Sequence, residues 1–251
     1  MIRRDHQDVD GQQHWILISQ REHARLAGDF ARYWGDPSWR AISPDGIILP
    51  MIYHHDDGWA DWDDHPRLDS VSHAPIAFTE MPIADAHAIW KRSIDAVAAL
   101  GPLAQYAVAS HFLNLRKGGS GSATADGAAF IQQYSAQAEG WLQAWQQHAG
   151  ETHGLAIAQR AVTALQLFDA LSLWLCVTDG RQPHRLVGLD GTHVCLTCVA
   201  PRTIHCEPWP FMRRDLSVTV TAWQVPVRHY ASSQELCAQS REATGYYTCV
   251  Q

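Results

Sequence analysis

The sequence lacks the features that mark several classes of protein. It has no internal repeat, no low-complexity segment and no charge-rich tail among its 251 residues. No apolar run reaches the roughly 20 residues that a membrane-spanning helix needs. Residues 1–6 continue into polar sequence rather than into the apolar stretch of a secretory signal. We therefore expect a folded, cytoplasmic protein that does not enter a membrane.

Cysteine is absent from the first two thirds of the chain. Without an export signal, reduced thiols are the expected state of the six cysteines that follow, at positions 176, 195, 198, 206, 237 and 249. The net charge of −7 argues against a nucleic-acid binder, which normally shows a basic face. Neither a phosphate-binding glycine loop nor a Gly-x-Ser-x-Gly nucleophile motif is present. The expected partner is a small-molecule substrate, and a homo-oligomer is possible.

Hydrophobic periodicity predicts a mainly helical chain. Helices are expected over residues 20–34, 46–57, 83–99, 102–116, 126–148 and 154–177, and a long loop over 58–82 as a lid or pocket wall. After residue 180, period-two alternation at 216–223 indicates strands. The expected fold is mainly α, with a helical domain over 1–180 and a small β-rich C-terminal unit over 181–251.

The most informative motif follows an apolar run. Residues 53–59 read Tyr-His-His-Asp-Asp-Gly-Trp, which places two imidazoles and two carboxylates on consecutive positions. Neighbouring residues on a helix point about 100° apart, so other helices must supply the remaining ligands of any metal. The candidate ligands, each group on a separate predicted helix, are His23, His55 with Asp56, His87, His111 and Asp169.

This order of ligands resembles the HD-domain superfamily of metal-dependent enzymes. Residues 55–58 look like the His-Asp-x-Gly turn of that family, although Trp59 stands where a lysine is usual. The resemblance implies a helical bundle that holds one or two metal ions. A closer resemblance, over nearly the whole chain, is to domain of unknown function 3891. It is carried by the segments at 20–24, 55–59, 89–93, 110–111, 168–172 and 209–211, and it implies no established reaction.

Imidazole and carboxylate ligands suit iron, manganese or zinc. Asp56 could bridge two such ions, whereas one ion would need only His23, His55, Asp56 and Asp169. Asp169 lies in an apolar helix, where an unpaired carboxylate would be costly to bury. We therefore expect one or two divalent metal ions as the cofactor.

Each candidate also has a purely structural interpretation. His23 could be an ordinary helix-face histidine, and Asp169 a buried carboxylate that bonds a tyrosine, a tryptophan or the backbone. His111 lies on an otherwise apolar helix, and His87 could lie at an exposed helix start. His54 is expected to pack or to support the ligands.

Two further residues are catalytic candidates. Asp57 could act as a general base, accept a hydrogen bond from a ligand, or cap the following helix. Lys91 shares a helix face with His87 and could hold a substrate phosphate or carboxylate, or simply be solvated. Gln166 and Ser172 flank Asp169 and could hydrogen-bond to the site or pack.

A structural zinc site near residue 200 is a weaker alternative. It would use His193, Cys195, Cys198, His205 and Cys206, but the last two are adjacent, which is poor spacing for zinc. Strand alternation would also place Cys195 and Cys198 on opposite faces, so buried reduced thiols are the favoured interpretation.

Three functions are consistent with these residues. The first is a metal-dependent hydrolase that uses a metal-activated water on a small phosphorylated metabolite or nucleotide. The second is an HD-type di-iron oxygenase, and the third is a non-catalytic ligand-binding protein with the same fold.

Overall fold

The computed structural model describes residues 1–35, 46–118, 124–149 and 154–251. Within these ranges the chain forms two groups of elements, helices and one mixed sheet. The helices are α1 (Gln20–Tyr33), α2 (Ile48–His54), α3 (Ala60–Asp64), α4 (Ile83–Ala96), α5 (Pro102–Gly118), α6 (Ala125–Ala149), α7 (Leu155–Thr178) and α8 (Ser233–Gln239). Short 3₁₀ helices lie at Asp57–Trp59 and Val97–Leu100.

The strands come from both ends of the chain. They are β1 (Ile2–Gln7), β2 (Gln13–Ile18), β3 (His184–Val187), β4 (His193–Ala200), β5 (Thr203–Glu207), β6 (Leu216–Pro226) and β7 (Arg241–Val250). In the described part of the chain they form one seven-stranded sheet, in the order β1-β2-β6-β7-β5-β4-β3. The β5–β7 pair is parallel and the other pairs are antiparallel.

This sheet corrects the predicted fold class. A mainly α, HD-domain-like bundle with a small β-rich C-terminal unit is wrong, because β1 and β2 pair with β6 to extend the sheet into the N-terminal part. The predicted division at residue 180 stays a prediction. Helix positions agree more closely with expectation. The exceptions are α2, which is shorter, α3, which lies in the predicted loop, and α8, which no predicted helix covers.

Part of the segment predicted to be a lid or pocket wall, residues 58–82, belongs to the hydrophobic core. Trp59 and Trp62 are 4% and 2% exposed and pack in a hydrophobic cluster with Leu17 and Tyr230. Large aromatic side chains buried in this way fix a segment in place. The first part of the 58–82 region therefore packs against the strands, and Leu68 and Pro75 form an isolated bridge further on.

The apolar helix α7 lies at the centre of the larger core. Phe168, Leu165 and Leu175 are 0% exposed and belong to a cluster that also includes residues of α1, α5 and the sheet. By length and composition this helix could cross a membrane, but 61% of its apolar window is buried inside the protein. Such burial is typical of the core helix of a soluble protein.

The cysteines follow the expected pattern in part, since only three of the six are buried. All six are free. Cys206 is buried and pairs across the sheet with Leu196, whereas Cys195 pairs with Glu207. This register places Cys195 and Cys198 on opposite faces of β4, as the alternation predicted. In the described residues, the groups able to hold a metal include none of these cysteines.

Candidate metal centre

Five of the six predicted ligands lie together between α1, α2, α5 and α7. They form two overlapping groups: His23, His55 and Asp56, and His55, His111 and Asp169. Within each group the potential ligand atoms lie within 4.8 Å of one another. The three histidines are at most 3% exposed and Asp56 is 5% exposed.

Four of these side chains point at one place. The Nε2 atom of His23 is 3.1 Å from Oδ1 of Asp169 and 3.6 Å from Oδ2 of Asp56. The Nε2 atom of His55 is 3.3 Å and 3.6 Å from the same two oxygens. Ligand atoms about 2.1 Å from a metal lie roughly 3.0 Å apart at right angles and roughly 3.4 Å apart at tetrahedral angles. The observed separations therefore match the coordination shell of a single ion.

The second ring nitrogen of each of these histidines is already engaged. His55 donates through Nδ1 to the backbone carbonyl oxygen of Ile52, at 2.8 Å. The hydroxyl of Ser172 lies 2.8 Å from Nδ1 of His23 and 3.0 Å from the carbonyl oxygen of Asp169. We assign its single proton to the carbonyl oxygen, and with that assignment His23 donates to Ser172 through Nδ1. In a neutral imidazole the other nitrogen then carries only a lone pair.

With these assigned tautomers, the centre favours a cation. Neutral His23 and His55 would direct lone pairs at the carboxylates of Asp56 and Asp169, and two acceptors cannot bond each other. A proton on each Nε2, or a metal ion between the four atoms, removes this repulsion. Support of the distal nitrogen by a carbonyl or hydroxyl is usual for metal-binding histidines.

The third histidine is buried and incompletely bonded. Burial lowers the pKa of His111 below its ordinary value. Its Nδ1 atom is buried and makes no hydrogen bond in the described structure. Its ring packs edge-on against the ring of His55, with centroids 5.8 Å apart. One ring nitrogen of His111 lies within 4.8 Å of the ligand atoms of His55 and Asp169, so this residue could serve as a further ligand.

The charges of the cluster are strongly coupled. Burial alone would lower the pKa of His55, but Asp56 and Asp169 raise it to about 9. Burial would likewise raise the pKa of Asp169, but His111, His23 and His55 hold it well below its usual range. The pocket therefore favours an ionised carboxylate beside positive charge.

The carboxylates are the more exposed side of the cluster. The side chain of Asp169 is 15% exposed and that of Asp56 is 8% exposed, whereas those of His55 and His23 are 0% and 2% exposed. If an ion is held here, water would approach it from that side. A catalytic rather than purely structural metal needs room for a bound water.

The glycine of the motif allows close helix packing. A Cβ on Gly58 would lie 2.3 Å from the backbone nitrogen of Ser93 and 2.4 Å from the carbonyl oxygen of Ile89, both on α4. The Gly58 amide donates to the hydroxyl of Ser93, and Arg92 donates to the Gly58 carbonyl oxygen, both at 3.2 Å. This contact fixes the turn that carries His55 and Asp56.

The remaining predicted residues have partners elsewhere. The ring of His87 stacks on Phe130, with centroids 4.4 Å apart, and is not part of either metal-binding group. Lys91 forms an exposed ion pair with Asp95. Asp57 accepts a hydrogen bond from His54 at 2.8 Å, also at the surface. Gln166 makes no hydrogen bond with the cluster among the described contacts, whereas Ser172 does.

The fold and the site define an α+β protein with a buried, mixed histidine and carboxylate cluster between helices. The chain belongs to the family described as Protein of unknown function (DUF3891), which its residues 1–227 match. No curated protein and no solved structure matches it.

Proposed function

We propose that this protein is a metal-dependent hydrolase with one divalent ion at the cluster. The observation that carries the proposal is the convergence of His23, His55, Asp56 and Asp169 on one point. Each ring has its Nδ1 atom engaged by an oxygen and directs Nε2 toward both carboxylates. The arrangement supplies two nitrogen and two oxygen ligands without any movement of the chain.

One ion is favoured over two. The two possible ligand groups share His55, whose Nδ1 is occupied by Ile52. Because Nε2 then carries a single lone pair, His55 can bind only one ion. His87, which a second ion would have used, stacks instead on Phe130. This geometry supports a mononuclear centre, with His111 as a fifth ligand, over the di-iron alternative.

The ligand set suits iron, manganese or zinc. Such an ion supplies Lewis acidity and lowers the pKa of a bound water toward neutrality. Asp56 and Asp169, on the solvent side, can accept a hydrogen bond from a water or substrate there. A small phosphorylated metabolite or nucleotide in the cytoplasm remains our proposed substrate. Lys91 has no part in it, since it pairs with Asp95 away from the cluster.

Metal analysis tests the proposal directly. Purified wild type, reconstituted without oxygen with Fe²⁺, Mn²⁺ or Zn²⁺ and then desalted, should retain close to one ion per chain. Asp56→Asn, which keeps the shape of the side chain, should lose the ion, whereas His87→Ala should retain it. The loaded wild type should hydrolyse members of a panel of phosphate esters and nucleotides.

Two results would count against this function. A wild type that retains none of the three metals would overturn the metal centre itself. A wild type that retains one ion, consumes oxygen and hydrolyses nothing would replace hydrolysis with oxidation.

A further inference from the structure

A polar network connects the edge of the sheet to α1 and α2, two of the four helices around the cluster. It starts at β6, which pairs with β2 only from Trp223 to Pro226. Nearer the start of β6, the same edge has no neighbouring strand among the described residues. Unpaired backbone groups on a strand edge need other partners, and here helix α1 supplies them.

Glu22 and Arg25 occupy that edge. The amide of Thr221 donates to Oε1 of Glu22, and Arg25 donates to the carbonyl oxygen of Thr219, both at 2.6 Å. In an antiparallel strand, residues two apart direct their backbone groups to the same side. The two side chains therefore complete the ladder where β2 ends. Arg25 also binds both carboxylate oxygens of Glu22 at 2.8 Å.

The network continues to the second helix. The Nη1 atom of Arg25 donates to Oδ2 of Asp29 at 2.5 Å, and the hydroxyl of Tyr53 donates to Oδ1 of Asp29 at 2.8 Å. The ring of Tyr53 lies directly on Gly28, where a Cβ would come within 2.3 Å of it. One guanidinium thus joins β6, α1 and, through Asp29, α2.

The ends of this network adjoin the metal ligands. Glu22 immediately precedes His23 on α1, and Tyr53 lies two positions before His55. Rotation of either helix would carry its imidazole away from the shared point, because side chains on a helix turn with its axis. The fixed fork of an arginine binds several oxygens in one geometry, which a lysine cannot do.

We propose that Arg25 is a positioning residue for the metal centre, acting through His23 and His55 without contact with the ion. The inference rests on the proposed function for its metal readout and deepens it. Its hydrogen bonds set the rotation of α1 and α2 relative to the sheet. The network accounts for the Glu-His-Ala-Arg segment at 22–25, of which only the histidine is a ligand.

The test compares Arg25→Lys with Arg228→Lys, which alters an exposed pair with Glu235 instead. Co²⁺ affinity and the visible absorption of bound Co²⁺ report the geometry of the ligands. We expect Arg25→Lys to bind Co²⁺ about 10-fold more weakly, at the lower end of the range for residues that orient ligands, and with an altered spectrum. Arg228→Lys should match wild type.

A metal-free measurement keeps this inference separate from the proposed function. Ring proton and nitrogen shifts of His23 and His55, measured by NMR on the metal-free protein, should move in Arg25→Lys. Those of His184, which stacks on Trp174 away from the network, should not. Wild type that binds no metal would overturn the proposed function, and the ring shifts would still decide this inference. A folded Arg25→Lys protein with wild-type shifts, or with wild-type Co²⁺ affinity and spectrum, would overturn it.

Discussion

Gly58→Ala gives the sharpest test of how the ligand turn is held. The added methyl would lie 2.3 Å from the nitrogen of Ser93 and 2.4 Å from the oxygen of Ile89. Cβ contacts under 3.0 Å are essentially never observed, so the turn and α4 must separate by about 0.7 Å. Both obstructing atoms belong to the backbone of a helix, which a change of rotamer cannot move.

That separation also removes two hydrogen bonds. The Gly58–Ser93 and Arg92–Gly58 bonds are already 3.2 Å long, and a further 0.7 Å takes them past bonding distance. Overpacking costs about 1–3 kcal/mol, and each lost bond costs about 0.5–1.5 kcal/mol. We therefore expect Gly58→Ala to lower the free energy of unfolding by about 2–6 kcal/mol. Its metal content should also fall, since His55 and Asp56 move with the turn.

Urea unfolding followed by circular dichroism, together with metal analysis of the folded fraction, measures both effects. Gly140→Ala is the matched control, because a Cβ there meets nothing within 4 Å and alanine is favoured in a helix by about 0.5–1 kcal/mol. That variant should be slightly more stable than wild type. If Gly58→Ala unfolds within about 0.5 kcal/mol of wild type, a range usual for inconsequential substitutions, then the packing of this turn is not what holds the ligands.

Three further predictions concern the cluster and its surroundings. Ser172→Ala removes the acceptor for His23 Nδ1 and should weaken metal binding about 10- to 100-fold in a chelator competition assay; unchanged affinity would contradict the assigned tautomer. His87→Ala should retain the metal but lose about 0.5–1.5 kcal/mol of stability, because the stacking on Phe130 is lost. Loss of the metal from a folded variant would instead show that His87 belongs to the metal centre. Removing the ion from wild type with a chelator should lower the melting temperature, because an ion that binds only the folded state stabilises it. Asp56→Asn should melt at the same temperature with and without chelator, and a large shift would mean that the ion binds elsewhere.

The convergence of the candidate ligands can be predicted from the sequence, because the local sequence patterns around them are distinctive. Two imidazoles and two carboxylates on consecutive positions 54–57 rarely serve packing alone, and Asp169 interrupts an otherwise apolar helix. A buried carboxylate without a partner is costly, so Asp169 itself implied a neighbour. The structure places that neighbour 146 positions away, at His23. Whether these residues bind a metal stays a prediction.

His87 shows what helix periodicity cannot predict, namely which neighbouring helix a given face contacts. Its spacing predicts that it shares a face with other residues of α4, but not whether that face meets α5 or α6. In the structure it meets Phe130 of α6, whereas Ser93 on the same helix meets the ligand turn. This choice depends on how three helices pack in space, which no local pattern records.

The sheet was missed at the N-terminus for a related reason. β1 alternates too weakly between buried and exposed residues to be distinguished from a loop, and the residues of β2 end just before the predicted helix at residue 20. Their partner β6 lies about 200 positions later. Local composition does not predict strand pairing over such a distance. The contacts of Glu22 and Arg25 with β6 could not be predicted from the sequence for the same reason.

A metal ion between the ligands is favoured over a proton on each of His23 and His55 because of where the positive charge would lie. Two protonated imidazoles would place like charges on rings whose centroids are 5.5 Å apart, in a region where both side chains are at most 2% exposed. Repulsion between charges is strong at that depth, where water cannot screen it. A divalent ion places the same total charge at the one point that both nitrogens and both carboxylates face. It also gives a ring nitrogen of His111, which lies in the same cluster, a partner that protons on the other two rings cannot provide.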